Sequence, residues 1–466
     1  MFERMGSGTS LFPRLKLLSW QCGGSEASIA HDQLLQLLTP PTLSVFILWH
    51  PHREQYGIHY EGWVDPYAIP QHIETVAARA SNLRHFLSEL YIPSAALHAL
   101  SDCQHLRSIT VREGSVALPF LEHISRAPKL EELTVSLGPE GNSSQIKEDR
   151  ARDLSHDPLL EFGSQGFASL KRLHLYVDDP RVVCAALVPM SDSCLNASLA
   201  TISIEFRGYN GADKDPDILQ ALQCLSRFHA LRSINISIES ADTEPTLSFS
   251  EFATPLFYVS QAEEVSFTVK KRLTALSDRD VEQMTQAWPN LTHLHISNDH
   301  VPPQREIYAY YEFDTEEGEE TVSSSVTEEG RETVISSPSL GAVVRLAQQC
   351  IHLEAVAINI GNVSEADIAS IENLAESRIL QDKLRLFLPA PSLYHWKVLS
   401  INDIDRLAAA LYHLFPKISG SRTLRDYKVE ERLHLSRYYR EPQGNTHDLM
   451  TKLDELAKER ERKDCE

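Results

Sequence analysis

The sequence lacks the cysteine pattern of a disulfide-linked secreted protein. Its seven cysteines are odd in number, scattered along 466 residues, and nowhere spaced as Cys-x-x-Cys. Reducing compartments keep such thiols free, and most buried cysteines there act as small hydrophobic residues. The cysteine usage therefore favours a location in the cytoplasm or the nucleus.

Long hydrophobic runs and clustered positive charge are also missing. No stretch approaches the roughly 18 apolar residues that a membrane-spanning helix needs, and Met1 to Ser10 lack the apolar core of a signal peptide. Lys and Arg number 44 against 65 Asp and Glu, a formal net charge of -21 at pH 7. Since nucleic-acid binding needs clustered Lys and Arg, we expect neither a membrane nor a nucleic-acid partner.

Motifs for catalysis and cofactor binding are absent as well. The sequence contains no Gly-x-Gly-x-x-Gly or Gly-x-x-x-x-Gly-Lys-[Ser/Thr] turn, no Gly-x-Ser-x-Gly elbow and no His-Glu-x-x-His pair. Ser, His and Asp are frequent, but no local pattern groups them into a nucleophile with its base. We therefore expect no enzyme activity and no cofactor.

A repeated hexad is the strongest signal that the sequence does contain. It has the form Leu-x-x-Φ-x-Φ, where Φ is an apolar residue, and consecutive copies are about 23 to 40 residues apart, with one gap of about 60. Good copies begin at Leu15, Leu43, Leu106, Leu130, Leu170, Leu199, Leu231, Leu291 and Leu353, and weaker copies at Leu83, Glu264 and Leu384. These spacings bracket the length of leucine-rich repeats.

Each hexad ends in an apolar, polar, apolar alternation, which is the period of a half-buried strand. The segments between hexads have apolar residues at helical spacing, as in Asp217 to Phe228 and in Asp278 to Trp288, where Asp278 stands at the expected N-cap and Pro289 ends the helix. The sequence thus predicts an α/β leucine-rich-repeat solenoid, a curved array of strand-helix units. A doubly wound α/β domain is the alternative, but its buried strands would not be polar at every second position.

The polar strand positions of such an array form one continuous wall. Predicted wall residues, together with the residue two positions after each, are Lys16, Ser44, Ser108, Glu132, Arg172, Ser203, Ser233, His293, His295 and Ala355. Their mixture of polar, charged and small side chains suits a protein surface better than a deep small-molecule pocket. The wall is therefore the candidate partner-binding face, and the expected partner is a protein.

Two groups of histidines could suggest a metal site. His50, His52 and His59 lie in a segment with Pro51 and Gly57, and no Cys or spaced carboxylate completes a tetrahedral set. His293, His295 and His300 lie in a repeat strand and the loop after it. His293 and His295 fall on one side of the strand, so we interpret the group as exposed partner contacts or plain surface. No metal is expected.

Residues 304–339 differ in composition from the repeats. Ten acidic residues stand against two basic ones between Gln304 and Pro338. Such a stretch is typical of a disordered insertion, and we expect either a solvated spacer or a regulated segment. Candidate phosphorylation sites are Ser323, Ser324, Ser325 and Ser337. After the repeats, residues 421–466 form a C-terminal extension in which Leu449 to Leu456 predict a charged surface helix that frays after about Lys458.

Several linking phrases carry a family resemblance. LFPRLKLLSW, LLQLLTPPTLSVFIL, LRHFLSELYIPSAALHALSDCQHLRSITV, ISRAPKLEELTVSLG, AWPNLTHLHISNDH and LAAALYHLFPKI resemble fungal F-box proteins with leucine-rich repeats, over residues 11–420. The resemblance implies the substrate-recognition half of an SCF-type ubiquitin ligase receptor. In that family an F-box docks on a Skp-type adaptor and its cullin.

Residues 1–10 are a short lead-in without an F-box motif, so we expect adaptor and cullin binding only if an F-box is supplied. An F-box-independent leucine-rich-repeat scaffold, with no link to ubiquitin, is the alternative function.

Overall fold

The computed structural model describes residues 10–21, 28–49, 68–90, 92, 94–138, 162, 166–193, 195–209, 215–240, 248–270, 276–297, 338–360, 363–376, 383–391, 400–418 and 445–465. The chain divides into two compact units. Unit 1 comprises Met1–Glu239 and Thr254–Val265, and unit 2 comprises Ser240–Ala253 and Ser266–Glu466.

Unit 1 alternates strands with helices. Its elements are β1 (Leu17–Gln21), α1 (Ser28–Leu38), β2 (Val45–Trp49), α2 (Ala68–Arg79), β3 (His85–Ser88), α3 (Ser94–Leu97), a 3₁₀ helix (His98–Asp102), β4 (Ser108–Val116), α4 (Leu118–Ile124), β5 (Glu132–Leu137), β6 (Arg172–Val177), α5 (Pro180–Ser191), α6 (Leu195–Ser198), β7 (Thr201–Tyr209), α7 (Asp215–Leu225), β8 (Ser233–Ser240) and a 3₁₀ helix (Thr254–Tyr258). Its strands are neighbours in chain order, and β1 to β7 pair in parallel.

Unit 2 continues the same alternation. It contains α8 (Phe249–Ala253), most of β9 (Glu264–Lys270), α9 (Asp278–Ala287), β10 (His293–Ser297), α10 (Leu340–Gln349), β11 (Ala355–Ile360), α11 (Glu365–Glu376), β12 (Leu386–Pro391), α12 (Ile401–Leu414) and α13 (Asn445–Cys465). Strands β10, β11 and β12 pair in parallel.

Helices form a second layer in each unit. Helices of neighbouring repeats pack against one another, as α5 does with α7 in unit 1 and α11 with α12 in unit 2. Parallel strands in chain order with one helix layer make the fold an α/β leucine-rich-repeat solenoid, as predicted. A doubly wound sheet would reorder its strands and carry helices on both faces.

The hexads supply the core as their spacing predicts. Leu130, Leu133 and Val135 are fully buried, and so are Leu291 and Leu294. The first Leu of most hexads turns inward through a repeated tight turn, in which its backbone N–H donates to the carbonyl three residues earlier. Examples join Leu130 to Ala127 (3.3 Å) and Leu291 to Trp288 (3.2 Å).

Proline occupies the second position of four such turns, at Pro13, Pro41, Pro128 and Pro289. A type I turn favours Pro there because the ring presets the backbone angle φ.

Serine side chains begin several helices. In α9 the N-cap is Ser277, which forms a capping box with Asp280, so the expectation that Asp278 caps this helix is wrong by one residue. Asp278 instead links two repeats, since its carboxylate accepts from the N–H and the hydroxyl of Ser339 at 2.6 and 2.8 Å. Ser339 in turn caps α10.

The last helix covers the end of unit 2. Leu449, Met450 and Leu453 of α13 are buried, and α13 packs against α12. Lys452 forms an ion pair with Asp405 of α12 at 3.2 Å. The helix continues to Cys465 rather than fraying after Lys458. Among the described residues, no helix combines the length and apolar character needed to cross a membrane.

Candidate functional site

One face of the sheet in unit 1 is polar. Strands β5 and β6 bury every second side chain, while the side chains between them stay half-buried or exposed. We call the outward side chains of four neighbouring strands the polar face: Ser108, Thr110, Glu132, Thr134, Ser136, Arg172, His174, Tyr176, Thr201, Ser203, Glu205 and Arg207. Parallel sheets are usually covered by helices on both faces, whereas several outward side chains of β5 and β6 keep part of their surface exposed.

Backbone pairing aligns these side chains in rows across the strands. Ser108, Glu132, Arg172 and Thr201 are register partners, which places four repeats side by side in a first row. Thr110, Thr134, His174 and Ser203 form the second row in the same way. Ser136, Tyr176 and Glu205 form the third row.

An ion pair occupies the middle of the first row. Arg172 Nε donates to Glu132 Oε1 at 2.7 Å, and both side chains keep a third or more of their surface exposed. The hydrogen bond to the Glu132 carboxylate raises the pKa of Arg172. Because the pair is exposed, it sets the charge pattern of the face more than its stability.

A cluster of aromatic and arginine side chains extends from the second row, through the third row, to Arg207 two residues further along β7. His174 and Tyr176 have ring centroids 4.3 Å apart. The guanidinium of Arg207 lies 3.9 Å above the Tyr176 ring, and its Nε donates to Glu205 at 2.9 Å. We call His174, Tyr176, Glu205 and Arg207 the aromatic-arginine cluster.

This cluster has the composition of a protein-binding hot spot. Tyr and Arg are enriched where alanine substitution costs the most binding energy, because each offers a large contact area and a polar group. The ring and the ion pair hold Arg207 in place before any partner binds, which reduces the entropy lost on association. The arrangement can bind a surface, and its residues do not converge on a pocket.

The structure brings some of the predicted wall residues together. Ser108, Glu132 and Arg172 stand in the first row, and Ser203 in the second. Ser233 begins β8 and is half-buried. Asn235, two residues further along β8, donates to the Ser203 hydroxyl at 3.0 Å.

Lys16 and Ser44 do not occupy the rows. Each stands one residue before its strand, and the register pairs Leu17 with Val45 at the first-row position. The expectation for these two positions is wrong by one residue, because the copy LKLLSW has an apolar residue at the place where the other copies are polar.

His293 and His295 are on β10 of unit 2 but are not exposed. Their exposed fractions are 8% and 4%, and Ala355 on β11 is 3% exposed. Ser203 in unit 1 is also buried, at 8%. The expectation of an exposed position is therefore wrong for these four residues, although the two histidines do fall on the same side of their strand.

His295 is neutral in this buried position. Its Nδ1 lies 3.1 Å from the hydroxyl of Ser266 on β9. Loss of hydration lowers the pKa of His295 to about 4, because burial disfavours the charged imidazolium.

The described residues contain no group of three or more His, Cys, Asp or Glu side chains arranged to hold a metal ion. His50, His52, His59 and His300 lie outside the described residues, as do the candidate phosphorylation sites Ser323, Ser324, Ser325 and Ser337. Of the acidic stretch 304–339, the described residues are Pro338 and Ser339.

The sequence analysis includes Glu205, two positions after Ser203, but does not predict Tyr176 and Arg207 as wall residues. Tyr176 and Arg207 lie beyond the end of their hexads, where β6 continues for two residues and β7 for five. The sequence did contain the signal, because polar and apolar residues continue to alternate in HLYV and SIEFRGY, with the polar residue first.

No family model matches the sequence, and no curated protein does. Similar solved structures include an internalin of Listeria monocytogenes, 11% identical over 80% of each chain with a TM-score of 0.36. A leucine-rich-repeat protein of Leptospira interrogans is 11% identical over 91% of this chain and 93% of that chain, with a TM-score of 0.30. A TLR13–ssRNA13 complex is 12% identical over 88% of this chain and 49% of that chain, with a TM-score of 0.34.

Proposed function

We propose that this chain is a non-catalytic protein-binding module, and that its contact surface is the polar face, including the aromatic-arginine cluster on β6 and β7. The observation that carries the proposal is the contact of His174, Tyr176 and Arg207 on the polar face, with the two rings 4.3 Å apart and the Arg207 guanidinium 3.9 Å from the Tyr176 ring. The alternation of buried Leu, Ile and Val with these polar residues supports it, since stability and recognition then use different side chains of the same strands.

The finer proposal is that the module acts as the substrate-recognition half of an SCF-type ubiquitin ligase receptor in a fungal cytoplasm or nucleus. It rests on the family resemblance of residues 11–420. The partner is then a protein substrate, and the Skp-type adaptor and cullin bind only when an F-box is supplied. The second candidate is an F-box-independent scaffold, which would hold its partner without ubiquitin.

Capture of partners from a fungal extract tests the contact surface. The variant Tyr176→Ala/Arg207→Ala removes the cluster. The matched control is Tyr258→Ala/Arg126→Ala, because Tyr258 is 73% exposed in a 3₁₀ helix and the Arg126 side chain is 71% exposed two residues after α4. We expect the cluster variant to lose partners at least about tenfold in quantitative mass spectrometry, the effect of a hot-spot loss above about 1.4 kcal/mol. Equal recovery by both variants would place the binding face elsewhere.

Adaptor binding distinguishes the two finer candidates. Purified Skp-type adaptor should not bind the 466-residue chain and should bind a fusion that carries an F-box at its amino end. The fusion should then support ubiquitin transfer to a captured partner. A fusion that binds adaptor and cullin while its captured partners remain unmodified would favour the scaffold.

A further inference from the structure

A continuous row of side chains crosses unit 1 at the amino ends of its strands. Each member follows the first apolar residue of its repeat, and its backbone N–H donates to the carbonyl of the preceding member at 2.7–2.9 Å. The members of this amino-end row are Lys16, Ser44, Arg84, Arg107, Glu131, Lys171, Ala200, Arg232 and Glu263. The row borders the polar face, since Glu131 and Lys171 directly precede Glu132 and Arg172.

The row is basic in a protein that is strongly acidic. Five of its nine members are Lys or Arg and two are Glu, whereas the whole chain has 44 basic residues in 466. Nine positions drawn at that frequency would contain about one cation. All five cations are exposed, so the row presents positive charge to solvent where the net charge of -21 predicts the opposite.

The spacing of the cations fits an extended polypeptide. Neighbouring strands are about 4.8 Å apart, so successive cations are separated by one or two strand steps, or about 5 to 10 Å. The seven steps from Lys16 to Arg232 span about 34 Å, which about ten residues of extended chain would cover. In a polyproline II conformation every third residue returns to the same side after about 9 Å, close to two strand steps.

The cations of the row already form ion pairs with carboxylates. Glu131 lies between two cations, 3.5 Å from Arg107 and 3.6 Å from Lys171. Glu263 is 3.0 Å from Arg232. A nucleic-acid strand has a charge at every phosphate and would meet these two glutamates, whereas a peptide can place neutral residues opposite them.

We propose that the amino-end row binds an extended acidic segment of a partner protein, with a carboxylate at about every third residue. This proposal deepens the proposed function and rests on it, because it assigns the chemistry of the segment that accompanies a partner docked on the polar face.

The test uses fluorescence anisotropy with the full chain and a labelled peptide of about twelve residues, with Glu at every third position and Ser or Pro between. The row variant is Lys16→Glu/Arg84→Glu, chosen because the described ion pairs of the row involve Arg107, Lys171 and Arg232 instead. The matched control, Arg126→Glu/Arg227→Glu, makes the same change of net charge at two exposed positions of unit 1 outside the row. Circular dichroism and thermal midpoints confirm that both variants fold.

We expect the row variant to raise the Kd at least about tenfold and the control variant to change it less than about twofold. Raising the salt concentration from about 0.05 M to about 0.5 M should also weaken binding, because exposed charges are screened. A peptide with Lys in place of Glu should not bind. Absence of binding to the Glu peptide, or equal losses in both variants, would overturn the proposal, and so would tighter row-dependent binding of a single-stranded RNA of similar length.

The outcomes separate the two proposals. Peptide binding that depends on the row, together with partner capture that ignores the Tyr176→Ala/Arg207→Ala change, would leave this inference standing and contradict the proposed contact surface. The reverse pair of results would contradict the acidic segment alone.

Discussion

Individual outward residues in this solenoid have different environments although they occupy equivalent strand positions. His174 in unit 1 is half-buried beside Tyr176, whereas His295 in unit 2 is 4% exposed and hydrogen-bonded to Ser266. Position in the hexad therefore specifies the side of the strand, and the surrounding side chains decide the exposure.

Burial of His295 makes stability depend on pH. The pKa of His295 is about 4 in the folded protein and 6.5 for the unperturbed group, so the unfolded chain binds the extra proton first as the pH falls. The folded protein therefore loses unfolding free energy progressively as the pH falls from 6.5 to 4. At pH 4 the loss amounts to about 3 kcal/mol.

The variant His295→Gln has no titrating group there and keeps a partner for Ser266. Its free energy of unfolding, measured with urea, should fall less than that of the wild type across this window. Parallel pH profiles would contradict the buried neutral histidine.

The fully buried Leu133 provides a second test at the residue scale. Replacing it with Ala leaves a cavity in a packed layer and should cost about 2 to 5 kcal/mol of unfolding free energy. Thr134→Ala is the matched control, because the next side chain lies on the polar face and is only half-buried. Its effect should stay within about 0.5 kcal/mol in the same chemical denaturation experiment.

At the element scale, each repeat consists of a tight turn, a short strand and a return helix. The turn and the strand could be predicted from the sequence, because Leu at the turn and alternation in the strand are local signals with a fixed period. Tyr176 and Arg207 were missed since the strands extend past the hexad, and Lys16 was misplaced since LKLLSW offers two possible alternations. The burial of His295 depends on tertiary neighbours, which no local period encodes.

The Glu132–Arg172 pair belongs to two neighbouring strands and can be inverted. In Glu132→Arg/Arg172→Glu the charges exchange strands, so the ion pair is kept while the charge pattern of the first row is reversed. We expect the thermal midpoint to shift no further than a change of about 1 kcal/mol in unfolding free energy would shift it. Partner capture should fall. Unchanged capture, compared with the wild type on the same beads, would remove this row from the contact surface.

At the scale of the whole molecule, an array of repeats must cover its terminal apolar surface. In unit 2 the helix α13 does so by burying Leu449, Met450 and Leu453 against α12. A chain ending before Asn445 should therefore melt at a lower temperature and associate, as measured by thermal unfolding and light scattering. The milder Leu453→Ala should lower the unfolding free energy by about 2 to 5 kcal/mol without exposing the whole face. A monomeric truncated chain with an unchanged midpoint would contradict a capping role.

The longest interval between hexads has a consequence for how such a molecule changes over time. Leu291 and Leu353 are 62 positions apart, yet β10 and β11 pair residue by residue, His293 with Ala355 and Ile296 with Ile358. The connection between two strands can therefore lengthen freely while the framework stays in register, since the entropic cost of a longer loop grows only slowly. The junction after a strand is then a site that tolerates insertions. New peptide, a reporter or a regulatory tract can be inserted there in evolution or in the laboratory, and the inherited recognition surface is preserved.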